Sequence, residues 1–206
     1  LAVFIKDKKS PNPITLLSIV PNDDETEKNL LRARKNMEDV RRLASATDTN
    51  INVIASIDYN AASGTIRTAK EIMADTILLE WPERSSILDR VFGERTENIL
   101  AGADKNVFIC KVKHLLAAHK QVLVFCPPLL ELEKGFTGCL DNLIRLAKEL
   151  SAPVICYTNQ RTKKEIDIYL NRSETGSISF KEFDQWEDFL VLSKDITQED
   201  IVIMML

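Results

Sequence analysis

No apolar run in this chain is long enough to cross a bilayer. The longest are strand-sized, far short of the roughly 20 residues that a membrane helix needs, and no signal peptide is recognisable. The residues therefore read as a soluble polypeptide. A long basic stretch is missing too, and with 27 Lys and Arg against 31 Asp and Glu the net charge is −4. That argues against a nucleic-acid groove. The cysteines Cys110, Cys126, Cys139 and Cys156 form no CxxC pair, and three of them sit inside apolar, strand-like runs. They read as buried, reduced thiols of a cytoplasmic protein rather than as redox centres or metal ligands. His114 and His119 lie in the stretch Lys113–Lys120 with no acidic or thiol neighbour at ligand spacing, so they read as linker histidines. No Ser/His/Asp or Cys/His frame is present, and no enzyme is expected.

What the chain does contain is a repeat. Ala74-Asp75-Thr76-Ile77-Leu78-Leu79-Glu80 has a counterpart in Glu199-Asp200-Ile201-Val202-Ile203-Met204-Met205, each an acid followed by a short apolar run. Leu1–Asp7 followed by Pro13–Val20 likewise matches Leu146–Leu150 followed by Pro153–Thr158. Both pairs come in the same order, so two copies of one α/β unit are expected, neither complete. A length of 206 residues accommodates two small domains. The expected division is a first unit over 1–112 lacking its first strand, a linker over 113–120, and a second unit over 121–206 lacking its C-terminal part.

The elements follow from periodicity and punctuation. Leu1–Lys9 reads as the end of a helix, and Pro11 and Pro13 force extended backbone into a strand at Ile14–Val20. Asn22-Asp23-Asp24 starts a helix whose apolar stripe is Leu30, Ala33, Met37, Val40 and Ala44. A strand at Ile51–Ile57, a short helix after Ser63-Gly64 and a strand at Thr76–Glu80 follow. After the loop that begins at Trp81-Pro82, a helix near Thr96–Gly102 and a strand at Val107–Val112 close the first half. The second half opens with a strand at Gln121–Cys126, stopped by Pro127-Pro128. Gly135 leads into a helix lined by Phe136, Cys139, Leu140, Leu143, Ala147 and Leu150. Then come a strand at Val154–Thr158, a helix at Arg161–Leu170, a strand at Ser177–Phe180, a helix at Lys181–Leu192 and a strand at Asp200–Leu206. Strands alternating with helices imply parallel sheets covered on both faces. Ligands of such folds bind beyond the carboxyl ends of the strands. The loops to watch are therefore Pro21–Glu25, Asp58–Ser63, Glu80–Ser86 and Pro127–Gly135.

The stretch Asp58–Val112 resembles the second half of a universal stress protein. It has a strand, a helix entered at Ala62–Ile66, Ala74-Asp75 before a strand, then Gly93-Glu94-Arg95-Thr96-Glu97-Asn98-Ile99-Leu100, Ala103 and a final strand Val107-Phe108-Ile109-Cys110. The resemblance implies an α/β fold of two tandem stress-protein-like (adenine nucleotide alpha hydrolase-like) units, with helix-covered parallel sheets truncated at both chain ends. In that family the strand after Ala-Asp leads into a loop of glycines with a Ser or Thr, where backbone amides approach the phosphates of ATP. Here the spacing survives, but Glu80 and Glu83 stand where the two glycines belong, and Glu94 replaces the hydroxyl residue after Gly93. A carboxylate about 4 Å from a phosphate charge costs about 4 kcal/mol at an effective dielectric of 20. One ordinary hydrogen bond returns about 1 kcal/mol. The degenerate loop Glu80, Glu83, Gly93, Glu94 is thus expected to hold no nucleotide. In the second half Pro127-Pro128 stands where nucleotide-binding members carry an aspartate near the adenine.

A narrower resemblance rests on Lys120–Pro128, Glu133-Lys134-Gly135-Phe136 and Leu146–Val154. These segments are similar to the second stress-protein-like repeat in the cytoplasmic C-terminal region of bacterial cation/proton antiporters. The resemblance implies a non-catalytic regulatory or assembly domain on the cytoplasmic side of the bacterial inner membrane. Its partners would be the membrane domain of the same sodium or potassium transporter and a second copy met through edge strands. No cofactor and no metal are expected. The contrasting expectation is a free-standing stress protein that binds ATP or another nucleotide through its second unit. Membrane helices before Leu1 belong to the first reading, a lone strand to the second.

Other polar features have plain structural readings. The Glu80/Glu83/Glu94 cluster could sense a cation or proton because close carboxylates raise one another's pKa, but it reads first as a solvated loop. Asp75 and Asp200, at strand starts, read as surface or capping groups. Trp81 and Trp186 read as packing residues. Asp23-Asp24-Glu25 with Glu27 suits the dipole at a helix start better than a metal.

Overall fold

The computed structural model describes residues 1–46, 49–81, 93–173 and 178–206. Its contacts divide the chain into two bodies, one of Lys8–Lys111 with Ala2 and the other of Leu1, Val3–Asp7 and Val112–Leu206. All described strand pairs in both are parallel. The short helix α1 (Ala2–Ile5) ends on a buried Ile5 that groups with the second body, and Arg145 Nε donates to the Ile5 carbonyl at 2.9 Å. The expected helix over Leu1–Lys9 is therefore shorter, ending before the prolines.

The N-terminal body runs β1 (Ile14–Pro21), α2 (Thr26–Ser45), β2 (Ile51–Asp58), α3 (Ala61–Glu71), β3 (Thr76–Glu80), α4 (Glu94–Gly102) and β4 (Asn106–Cys110). Its strands form two separate pairs, β1 with β2 and β3 with β4. Along α2 the expected stripe is a graded one: Met37 is buried, Leu30, Ala33 and Ala44 are half-buried, and Val40 is exposed. Helix α3 begins at Ala61, not after Ser63-Gly64, because the Asn60 side chain accepts from the Ala62 and Ser63 amides and caps it earlier. Gly64 then lies inside the helix, where a Cβ would come within 3.0 Å of both Ile19 and Asp58. Its missing side chain lets α3 lie close on β1 and β2. The helix stops in a left-handed turn at Met73 (φ 52°), with Ala74 N–H on the Ala69 carbonyl and Met73 N–H on that of Lys70.

The C-terminal body runs β5 (Gln121–Phe125), α5 (Phe136–Leu150), β6 (Val154–Thr158), α6 (Gln160–Ser173), β7 (Ile178–Glu182), α7 (Phe189–Leu192) and β8 (Asp200–Met204). Here the strands make one four-stranded sheet in the order β7-β6-β5-β8. The alternation of β5 divides two apolar clusters between its faces. Val122, Val124 and Cys126 join Leu140, Leu143, Val154, Cys156 and Ile166, while Leu123 and Phe125 join Tyr157 and Phe183. The second cluster is aromatic: Phe125 stacks on Tyr157 at 4.6 Å between centroids and meets Phe183 and Phe189 edge-on. Such pairs add about 0.5–1.5 kcal/mol each beyond area burial.

This cluster corrects one expected element. The helix read over Lys181–Leu192 is strand as far as Glu182, a single turn at Trp186–Asp188, and helix only from Phe189. Phe183 N–H donates to the Thr158 carbonyl at 3.2 Å and its ring is 1% exposed, which holds the chain extended beside β6 where helical spacing alone suggested a turn of helix. The last strand of the N-terminal body also ends earlier than expected, at Cys110 rather than Val112.

Candidate functional site

At the carboxyl end of β2, Asp58 gathers the start of α3. Its Oδ1 accepts from the Asn60 amide and the Ser63 hydroxyl, both at 3.2 Å, and its Oδ2 from Arg67 Nη2 at 3.4 Å. Arg67 is itself bound to Glu71 at 2.9 Å and to Ser56 at 3.1 Å. The Asn60 N–H holds the Asp58 carboxyl below the usual carboxylate range; burial opposes this, and Ser63 and Arg67 reinforce it. The first amides of α3 thus already have partners within the chain, so they do not offer the open donor set that binds an anion.

The degenerate loop opens at Glu80, exposed at the last position of β3, and Trp81 N–H extends the pairing with β4 by donating to the Cys110 carbonyl at 2.8 Å. Glu83, the third carboxylate of the cluster read with Glu80 and Glu94, lies outside the described residues. Gly93 is described: its φ of 74° with ψ of 152° is glycine's territory, and nothing lies within 4 Å of where a Cβ would be. It leads into α4 with no side-chain cap, and Glu94 and Glu97 occupy the first turn. These two carboxylates face the partial positive charge of the helix N-terminus, the place a phosphate would take.

The loop after β5 holds a residue that the sequence reading passed over. Leu129 is left-handed at φ 70°, Leu130–Leu132 forms a single turn, and Leu130 is buried. Between those leucines the Glu131 carboxylate is only 4% exposed. Thr162 Oγ1 donates to its Oε2 at 2.7 Å, and Arg161 Nε stands 2.9 Å from Oε1, close in distance but off the hydrogen-bond direction. Asn159 Oδ1 accepts from the Thr162 amide at 2.8 Å near the start of α6. A negative charge with a structural partner therefore sits at the first turn of α6, beyond the end of β6. The signal was present: Glu131 is the one charge inside Leu129-Leu130-Glu131-Leu132, and burying it demands partners.

The remaining polar candidates resolve into structure. Asp200 accepts from the Thr197 amide at 2.7 Å and from Gln121 Nε2 at 2.8 Å; burial raises its pKa, but these bonds outweigh it and the carboxyl lies low. Asp75 is exposed. Asp23 Oδ1 accepts from the Glu25 amide at 2.9 Å ahead of α2. Trp186 packs edge-on to Phe183 and Phe189, and His119 Nδ1 lies 3.1 Å from the Leu116 carbonyl. All four cysteines are free. Cys126 touches Met205 sulfur at 3.3 Å and Cys156 at 3.7 Å, and the contact with Cys156 together with burial pushes its thiol well up. Burial also raises Cys110 and Cys139, which leaves these thiols poor nucleophiles. Among the described residues no group of three His, Cys, Asp or Glu is placed to hold a metal, and no helix is long and apolar enough to cross a membrane.

No protein-family model matches the chain, and no curated protein matches it. Among solved structures it is similar to hypothetical protein MJ0577, the subject of a structure-based assignment of biochemical function. The identity is 15% and the TM-score 0.46, over 55% of this chain and 85% of that one. A likeness of that depth says nothing about ligand or activity. The chain itself has an α/β fold of parallel sheets and helices.

Proposed function

We propose that this chain is a non-catalytic regulatory and assembly domain of a cation/proton antiporter, working on the cytoplasmic side of the bacterial inner membrane. One observation carries the reading: the start of α4, where by the resemblance such a fold would hold a phosphate, carries the chain's own carboxylates Glu94 and Glu97 in its first turn. The transporter part of the reading rests on the resemblance of Lys120–Pro128 and Leu146–Val154. A regulator needs two arrangements of unequal energy and a partner that prefers one, not catalytic residues.

Two measurements test this. Titration calorimetry with Mg-ATP is expected to find nothing tighter than about millimolar, equivalent to about 4 kcal/mol. A micromolar site would return the chain to the reading as a free-standing, nucleotide-binding stress protein. Deleting this domain from the intact transporter is expected to shift the pH or ion dependence of exchange in membrane vesicles while the membrane portion stays folded. Unchanged dependence would end the regulatory reading. Self-association belongs to the same proposal, through the edge of β4 that no strand pairs among the described residues. Val107→Lys or Ile109→Lys is then expected to disturb assembly in sedimentation beyond the effect of an ordinary surface change.

A further inference from the structure

Three sulfur atoms meet in the C-terminal body. Cys126 directly follows β5, Cys156 lies in β6 and Met205 directly follows β8, so each comes from a different strand and the strand of Cys126 runs between the other two. The Cys126 thiol donates to Met205 Sδ at 3.3 Å and accepts from the Cys156 thiol at 3.7 Å. Backbone bonds fix this placement: the Cys126 N–H donates to the Tyr157 carbonyl at 2.9 Å and the Met205 N–H to the Phe125 carbonyl at 3.0 Å. All three side chains are buried, within a cluster that includes Val124, Leu130, Leu140 and Leu143. Cys156 and Met205 lie 30 and 79 positions from Cys126, so no short spacing announces the group in the sequence.

A disulfide does not suit the two thiols. Cys156 is in register with Val124, two places before Cys126, and such diagonal neighbours have Cα atoms about 7–8 Å apart, at or beyond the reach of a disulfide without backbone movement. Coordination suits them better. An ion about 2.3 Å from each of three sulfurs spreads them to about 4 Å, slightly beyond the Cys126–Cys156 spacing, and the flexible methionine can follow. Hard cations take oxygen ligands, while zinc and iron–sulfur centres take a full set of four N or S ligands. Two thiols and a thioether match Cu(I) instead. Charge agrees: loss of the Cys126 proton gives one thiolate, which cancels the single charge of Cu(I) inside an apolar cluster.

We propose that Cys126, Cys156 and Met205 form a binding site for a soft monovalent metal ion, Cu(I). The thiols that the sequence presents as plain buried residues are then ligands, drawn together by the order β6-β5-β8. The site serves a transporter domain and a free-standing protein alike, so it stands or falls apart from the regulatory reading.

Anaerobic titration of the full chain with Cu(I), in competition with a colorimetric Cu(I) chelator, tests it. The starting protein carries Cys110→Ala and Cys139→Ala, which removes the two half-buried thiols and leaves only Cys126 and Cys156. One Cu(I) per chain is expected to leave the chelator for the protein. Adding Cys126→Ser is expected to weaken binding about a hundredfold or more, and adding Met205→Leu, which nearly keeps the side-chain volume and so the fold, about tenfold or more. Absence of a one-to-one complex in the starting protein, or unchanged affinity in either added variant, overturns the inference.

Discussion

In the C-terminal body β5 has a bonded neighbour on each side and apolar clusters on both faces; in the N-terminal body, among the described residues, no strand has two neighbours. The local chemistry of the two is nevertheless alike. Both pair parallel strands, both use an asparagine to cap the helix after a strand (Asn60 and Asn159), and both end a helix in a left-handed turn (Met73 and Ser151). The difference lies in how the described strands are paired, two by two in one body and four in a row in the other, and it teaches that a sheet's core depends on position more than on composition. Leu16, Leu17 and Ile19 are as apolar as Val122, Leu123 and Val124, yet only the latter are fully buried. At about 25 cal/mol per Å² of apolar area, a strand covered on both faces contributes several kcal/mol that a half-covered one does not.

The sharpest way to break this comparison is to remove the aromatic centre of β5. Phe125→Ala deletes a ring that is 0% exposed and touches Tyr157, Phe183 and Phe189, and is expected to cost about 3–5 kcal/mol. Urea unfolding followed through exchange of the β5–β8 amides would show it. A loss below about 1.5 kcal/mol, the scale of a volume-conserving swap, would mean that β5 is not the heart of the core.

Glu131 sharpens the comparison at the carboxyl ends. Glu131→Ala leaves the Thr162 hydroxyl, in a residue that is 0% exposed, without its acceptor, while Arg161 can return to water. The expected cost is about 1–3 kcal/mol. If the carboxylate were held for a ligand instead, its removal would leave stability unchanged or raise it, since strained functional groups are commonly a burden on the fold. Thermal melting of the variant separates the two.

In the N-terminal body the corresponding change is smaller. Asn60→Ala removes the acceptor of the Ala62 and Ser63 amides and is expected to cost about 1 kcal/mol, with Asn60→Asp close to neutral. Exchange of the α3 amides reads it directly. Equal stability of all three would show that Asp58 and Ser63 hold the helix start by themselves.

Much of this was legible from residue spacing, and the misses share a cause. The strands at Thr76–Glu80 and Val154–Thr158 stand where acid-led and proline-led apolar runs put them. The helix expected over Lys181–Leu192 failed because Phe183 is fixed by Phe125, 58 positions earlier in the chain, and no local period encodes that contact. Glu131 was missed for a similar reason: its partners Arg161 and Thr162 come from another helix, and only the oddity of one charge among leucines marked it. Glu80, Gly93 and Glu94 were singled out through the resemblance to the stress-protein loop, and they stand at the last position of β3, directly before α4 and in its first turn.

The smallest effect is a pH dependence of the C-terminal body. Tyr169 donates to Asp141 Oδ1 at 2.6 Å, and burial, followed by this bond and the Asp141 charge, raises its phenol to about 12. An unfolded tyrosine titrates near 10. Its folded pKa is the higher one, so its contribution is fully present below about pH 10 and is lost as pH rises toward 12. The residue is only half-buried and the interaction partly screened by solvent, so the effect is well under the size of the Phe125 change. Melting curves at pH 9 and pH 11.5 are therefore expected to converge for the parent and Tyr169→Phe as pH rises, the parent being the more stable only at the lower pH. Parallel loss of stability in both proteins would show that alkaline unfolding begins elsewhere, and would leave the Tyr169–Asp141 bond without a measurable share in holding α6 to α5.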